Sequence, residues 1–250
     1  MRVKLNTLKL YGSVLGALMV GATHASAADD VAAGRYCSAT ATTINQSCGY
    51  EVLDDFYKQR AICINLDETA ERNECFTGAT EARAEGLAQC NEQLAARRAA
   101  CRLLGEARFD PEVEPVHFDK NFANPSNPNP YFPIKIGNRW EHRSAGGEHA
   151  ILEILNRTKL IDEITCVVGR DRVFQNGELV EDTDDWFALA RNGDVFYCGE
   201  EVKDYESFDG DRPRRPELIS RDGSFKHDRD GDVGGILFLG RPVRGAAYRQ

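Results

Sequence analysis

Six cysteines of this 250-residue chain stand in a symmetric row, and no other feature restricts its fold as much. Cys37, Cys48, Cys63, Cys75, Cys90 and Cys101 are separated by 11, 15, 12, 15 and 11 residues. The pairs Cys37/Cys101, Cys48/Cys90 and Cys63/Cys75 therefore share one positional sum, 138, as nested bridges across a single antiparallel hairpin require. Of the connectivities six cysteines allow, only this one places all three bridges in one hairpin register. Residues 50–104 are rich in Ala, Glu, Arg, Gln and Leu and contain no proline, which favours helix. At about 100° per residue, steps of 11 and 15 return to within about 20° and 60° of one helix face. Each arm thus presents its three cysteines along one side, and Leu87, Cys90, Leu94, Cys101 and Leu104 follow that stripe around an interrupting Arg97. The segment from Asn65 to Ala70 makes the turn, with Asp67 or Thr69 as helix cap. The row holds no CxxC pair and its segment no histidine, so a metal cluster is disfavoured and the cysteines are read as staples. Two such arms bury little core, and each bridge supplies ~2–4 kcal/mol by restricting the unfolded chain.

Disulfides require an oxidising compartment, and the N-terminus agrees. Arg2, Lys4 and Lys9 precede an apolar run from Val14 to Ala22 and the small-residue site Ala25-Ser26-Ala27, the pattern of a secretory signal peptide over residues 1–27. The run is too short for a membrane span, and no other stretch approaches ~20 apolar residues. Removing the three leader bases from 31 Lys+Arg leaves 28 against 40 Asp+Glu, a mature net charge of −12. Such a surface makes nucleic acid and anionic membrane poor partners and leaves a protein or an envelope component as the expected one.

Composition divides the mature chain into a disulfide-linked helical hairpin (28–105), a proline-rich connector (106–136) and an antiparallel sheet domain (137–250), an α+β class with a β-meander second half. Six of the nine prolines lie between Pro111 and Pro133, and the run from Asn124 to Pro130 reads as extended. Phe109, Val116, Phe118 and Phe122 lie in or beside this segment and suggest that it packs on a domain; His117 stands there alone and is read as inert. Beyond it, strands are expected at 138–144, 148–156, 163–175, 178–190, 194–200 and 236–240. Asn176-Gly177 and Asn192-Gly193 are strong two-residue hairpin signals. Taken as tight turns, they set facing residues at positional sums of 353 and 385. One face then collects Ile164, Cys166, Val168, Phe174, Leu179, Phe187, Leu189, Phe196 and Cys198. In that register Cys166 and Cys198 flank the same residue, Phe187, about 9–10 Å apart, which predicts two unpaired buried thiols. The compartment argues instead for a bridge, which a bulge or loop would permit.

The opposite face carries Asp171 facing Asp182 and Asp184 facing Glu201, with Trp186 and Tyr197 nearby. Like charges facing each other destabilise a sheet. Calcium bound by Asp171, Asp182, Asp184 and Glu201 would neutralise them; so would Lys203, placed opposite Asp182, on a merely solvated face. A second acidic stretch, His227 to Gly235, offers Asp228, Asp230 and Asp232 in the manner of a calcium loop. Val233 stands where such a loop needs glycine and Leu239 where it needs glutamate, so a plain turn is the stronger expectation. Asp209-Gly210-Asp211 and the Arg-Pro run after it read as an exposed loop. No GxSxG, HExxH or phosphate-cradling glycine loop is present, and His142, His149 and His227 lack ligand spacing. Cys166 and Cys198 point into the expected core, which argues against a Cys-His enzyme.

The stretch Asn129-Pro130-Tyr131-Phe132-Pro133, continued by Gly137-Asn138-Arg139-Trp140, resembles the opening of a large group of secreted bacterial β-sheet proteins. Thr165-Cys166, the segment from Gly177 to Trp186 with its Glu-Asp-Thr-x-Asp-Trp core, and Gly193-Asp194-Val195 extend the likeness over about half the chain. The resemblance implies a sheet fold and export, and it brings no active site. Proteins of this group continue past the position of Tyr248-Arg249-Gln250, which implies a sheet with an exposed edge. The expectation is therefore an exported non-enzymatic binding or structural module of the cell envelope. A calcium-binding module and a hydrolase whose site is scattered in sequence stand as alternatives.

Overall fold

The computed structural model describes residues 27–111 and 113–249; the leader, Ala27 apart, lies outside the described residues. The chain parts into two compact units, Met1–Cys90 and Asn91–Gln250, so the break falls within the second long helix, ahead of the compositional boundary at 105/106.

Helix α1 (Ala27–Ala32) is short and leads into α2 (Tyr36–Ile64). Asp30 is buried and accepts hydrogen bonds from Arg35 Nε and Nη2 at 2.8 and 2.6 Å, which ties the two helices together. After α2 the chain reverses into α3 (Thr69–Leu104). The reversal is closed by side chains: Asn65 Nδ2 donates back to the Ala61 carbonyl, and the Arg72 guanidinium gathers the Leu66 and Asp67 carbonyls. These bonds satisfy carbonyls that a helix end leaves without an intrahelical partner. Cys48–Cys90 and Cys63–Cys75 join the arms with Cα–Cα distances of 5.9 and 5.6 Å. Cys37 and Cys101 are disulfide-bonded too, which makes four bridges in all.

Among the described residues the buried ones of the hairpin are mainly small: Ala39, Ala41, Ala79, Cys63, Cys90 and Cys101, with Phe56 the one large ring. Arg60 and Arg83 lie over that ring at 5.3 and 5.1 Å, so even this core is capped by cations. Gly86 sets the spacing, because a Cβ there would sit 2.9 Å from Val52 Cγ2. With so few apolar groups buried, the bridges supply much of the hairpin's stability.

The second half forms one antiparallel sheet of nine strands: β1 (Arg139–Arg143), β2 (Glu148–Ile161), β3 (Ile164–Gln175), β4 (Glu178–Leu189), β5 (Val195–Glu201), β6 (Asp204–Glu206), β7 (Glu217–Ser220), β8 (Phe225–Lys226) and β9 (Gly235–Phe238). The first five pair in sequence order; β8 and β9 share the outer edge of β5, while β6 extends along β4 and pairs with β7. The connector packs on the sheet through Phe118, Phe122, Phe132 and Ile134, all buried. Phe122, Phe132 and Ile134 cover one face with Ile154, Val167, Phe187, Leu189 and Val195. Phe118 joins Ile164, Cys166, Val168, Trp186, Ala188, Phe196 and Cys198 on the other. Both faces of the central strands are therefore covered, which is why Ile164–Val168 and Trp186–Leu189 read as nearly continuous apolar runs rather than alternating ones.

The pairing departs from the sequence-based register in three places. Gln175↔Glu178 and Phe174↔Leu179 pair at the expected sum of 353, but Val180 is then an extra residue and every later pair is shifted by one, from Val173↔Glu181 to Val167↔Phe187. The apolar set expected on one face is consequently split between two. The second turn is longer than two residues: Leu189↔Val195 and Ala188↔Phe196 sum to 384, Gly193 takes φ 93°, and a bulge at Cys198 restores the expected sum at Asp184↔Glu201. Third, β2 runs on to Ile161 and turns through Asp162-Glu163, both at positive φ (43° and 61°), a tight turn without glycine.

The expectation of unpaired thiols is overturned. Cys166 and Cys198 form a fully buried disulfide with a Cα–Cα distance of 6.8 Å. The shifted register moves Cys166 from beside Phe187 to beside Ala188, a methyl-sized residue that leaves room for sulfur above β4. The bulge at Cys198 draws its backbone inward, as an extra residue bends the strand that holds it. Gly199, at φ 141°, completes this corner, since a Cβ there would lie 2.3 Å from the Phe225 carbonyl oxygen.

Candidate functional site

The four carboxylates proposed for calcium do not come together. Asp182, Asp184 and Glu201 share the face of Trp186, whereas Asp171 pairs with Thr183 on the other. On the first face arginines meet the charge. Arg170 donates to both oxygens of Asp182 at 2.8 and 2.5 Å and holds that carboxyl below its ordinary range. Arg157 Nη2 donates to both oxygens of Asp184 at 2.9 Å. Glu201 faces Asp184 as expected and lies 3.6 Å from Arg221 and 4.0 Å from Lys203. Lys203 meets Asp182 through its backbone, accepting a hydrogen bond from the Asp182 N–H at 2.9 Å. Arg157 escaped notice because it stands in what reads as a gap between strands.

The 228–232 stretch is a backbone-closed turn. The Asp228 N–H donates to the Asp232 carbonyl at 3.0 Å, Asp228, Asp230 and Gly231 take positive φ, and Asp230 is exposed beside Arg229. His227 accepts from the Gly234 N–H through Nδ1 and meets Phe196 edge-on, so it braces the turn. Among the described residues no group of three or more His, Cys, Asp or Glu side chains is arranged to hold a metal ion.

Sequence reasoning missed a different set. Asp185 lies on the inward face of β4 beside Phe187, 8 % exposed, where Tyr197 Oη donates to its Oδ1 at 2.5 Å. Burial pushes the Asp185 carboxyl up to about 7, with further repulsion from Asp171, Glu200 and Glu181; the Tyr197 hydrogen bond opposes this. Asp171 and Glu200 are likewise raised, first by burial and then by Glu181, and Asp171 Oδ1 is buried without a hydrogen-bond partner. Burial and these carboxylates raise the Tyr197 phenol, so it stays a donor. A carboxyl that titrates near neutrality beside a phenol is capable of proton exchange. Asp185, however, lines none of the cavities described below. Its signal in the sequence was an acid two residues before Phe187, on the apolar face of β4 in either register.

A cavity of about 360 Å³ lies between the connector and the β4–β5 turn. Pro111, Val113 and Phe118 supply one wall and Ala190, Phe196 and Ile236 the other; Glu114, His117, Arg191, Asn192 and Asp194 stand at its polar side. Backbone bonds hold the walls in place: Arg191 N–H to the His117 carbonyl at 2.9 Å, Asp119 N–H to the Leu189 carbonyl at 2.7 Å, and a β-bridge between Phe118 and Ala190. Asp194 is already engaged, accepting from Asn192 Nδ2 at 2.8 Å and from the Gly240 N–H at 2.7 Å. Arg191 makes no ion pair among the described residues and remains exposed. It also lines a shallower adjoining cleft with Lys120 and Leu160. An apolar chamber with one uncommitted guanidinium suits a small molecule that has an apolar body and an anionic end. His117, alone in the sequence, thus belongs to a pocket wall built from segments some 80 residues apart.

No protein-family model, no curated protein and no solved structure matches this chain.

Proposed function

We propose that this protein is an exported, non-enzymatic binding module of the bacterial cell envelope, and that the connector pocket is where it binds. The observation that supports this reading is the chamber itself: apolar walls fixed by backbone hydrogen bonds, beside an arginine that makes no ion pair among the described residues. Four disulfides suit an oxidising space such as the periplasm or the exterior, and no described helix is long and apolar enough to cross a membrane. The likeness to secreted bacterial sheet proteins, carried by Asn129–Pro133 and Glu181–Trp186, favours the same location. The calcium reading has lost its motive, since arginines answer the acidic face. A hydrolase would need its carboxylates converging in a cavity, and the Asp185 cluster lies against the sheet.

The test is titration with 8-anilinonaphthalene-1-sulfonate, an aromatic anion of suitable size. Saturable fluorescence enhancement is expected at one site, weakened at least tenfold when Ala190→Phe fills the chamber and several-fold by Arg191→Gln. Binding that neither substitution alters would remove the pocket from consideration.

A further inference from the structure

A second site stands on the face of the sheet that carries the acidic residues. Lys159 of β2 and Lys226 of β8 reach in from opposite sides of β4, and both ammonium groups lie over the indole of Trp186, 4.3 and 4.7 Å from the ring centroid. Sharing one centroid, the two nitrogens are within about 9 Å of each other. Neither forms an ion pair among the described residues, although acids outnumber bases 40 to 31 in the chain. The acids close by are engaged elsewhere: Asp184 with Arg157, and Glu201 with Arg221 and Lys203. Arg229, in the turn after β8, adds a third positive charge to the field at Lys226. Burial lowers the proton affinity of the Lys226 ammonium, and repulsion from Arg229 and Lys159 lowers it further, against a smaller pull from Glu201.

Trp186 is 2 % exposed, so the ring is a floor packed into the core and the two lysines form the rim. An aromatic face attracts cations through its quadrupole, but it carries no net charge and leaves the repulsion between the ammonium groups in place. A tetrahedral oxyanion removes that repulsion. Its oxygens accept hydrogen bonds from both ammonium groups, each a compact point charge with three donors. At hydrogen-bond distances one such anion bridges two ammonium groups standing up to ~7 Å apart, a separation inside the limit of about 9 Å that the shared ring sets.

We propose that Lys159 and Lys226, held over Trp186, form a binding site for a tetrahedral oxyanion of the phosphate or sulfate class, free or as the terminal group of a larger ligand. This site is separate from the connector pocket, and either can fail without the other.

The test uses the full mature chain carrying Trp140→Phe, which leaves Trp186 as the sole tryptophan of the two present. Inorganic phosphate, inorganic sulfate and glycerol 3-phosphate are each titrated at pH 7 and low salt against sodium chloride of matched ionic strength. A saturable change in Trp186 emission at millimolar anion or below, absent with chloride, is expected, with at least a tenfold loss in Lys226→Gln and in Lys159→Gln. A response equal to that of chloride, or one that persists in the double variant, overturns the proposal. Equal affinities for phosphate and its ester support a free anion as ligand; tenfold preference for the ester supports a phosphorylated compound. An independent readout needs no lysine substitution: titration of the Lys226 side chain followed by NMR. Phosphate is expected to raise its pKa, and an unchanged titration curve would overturn the site.

Discussion

Asp185 holds its proton in the folded protein up to about pH 7, while in an unfolded chain the same carboxyl releases it near 4. Between those values the folded state binds more protons, so the free energy of unfolding falls as pH rises and the cost is fully present only above about 7. At 1.36 kcal/mol per pKa unit the ceiling for this one group is ~4 kcal/mol. Asp171 and Glu200 are shifted in the same direction, and Asp182 and Asp119 in the opposite one. Asparagine at 185 keeps an oxygen for the Tyr197 hydroxyl and carries no charge. Asp185→Asn is therefore predicted to be more stable than the wild type at pH 8, by ~1–3 kcal/mol, and to lose that advantage at pH 4. Urea unfolding at both pH values checks this, and a variant less stable at pH 8 would show that the ionised carboxylate has a partner in solution. Tyr197→Phe strips the buried carboxyl of its donor and is predicted to cost ~1–3 kcal/mol at pH 5.

At the scale of elements, the two halves are stabilised differently. The helical arms have little to bury, so removing the middle bridge, which closes 42 residues, should cost ~2–4 kcal/mol in Cys48→Ala/Cys90→Ala. Thermal unfolding measures this; a loss below ~0.5 kcal/mol would mean the helices hold each other without it. The sheet depends on close approach, above all where β8 crosses Gly199. Gly199→Ala would press a methyl group against the Phe225 carbonyl, detaching β8 at a predicted ~1–3 kcal/mol. Amide exchange at His227, whose N–H donates to the Cys198 carbonyl at 2.7 Å, should accelerate with it, and unchanged protection there would contradict the packing.

The same contrast decides what could be read in advance. The hairpin was legible because its information lies in spacing, and spacing between cysteines survives ignorance of every other contact. The turn at Asn176-Gly177 was legible for its dipeptide, and Asp162-Glu163 was not, because its positive φ values fall on residues that rarely take them. The bulges at Val180 and Cys198 left no mark in apolar alternation: both faces of β3, β4 and β5 are covered near the turns, so a one-residue slip exchanges one apolar side chain for another. From that hidden slip follow the misplaced Asp171 and the wrong expectation for Cys166 and Cys198. The pocket was illegible for a different reason, since Val113, Ala190 and Ile236 become neighbours only through folding.

Taken whole, the molecule is one in which covalent links and arginine pairs do work that a larger apolar core or a bound ion does elsewhere. Calcium at several millimolar is accordingly predicted to leave the melting temperature unchanged; a rise of several degrees would restore an ion site to the acidic face. The central claim is the oxidised framework itself, with three concentric bridges in the hairpin and one across the sheet. Peptide mapping of the unreduced mature protein by mass spectrometry tests it most directly. The account predicts the links Cys37–Cys101, Cys48–Cys90, Cys63–Cys75 and Cys166–Cys198 with no free thiol. A crossed pair within the hairpin, or a thiol that alkylates without reduction, would contradict it.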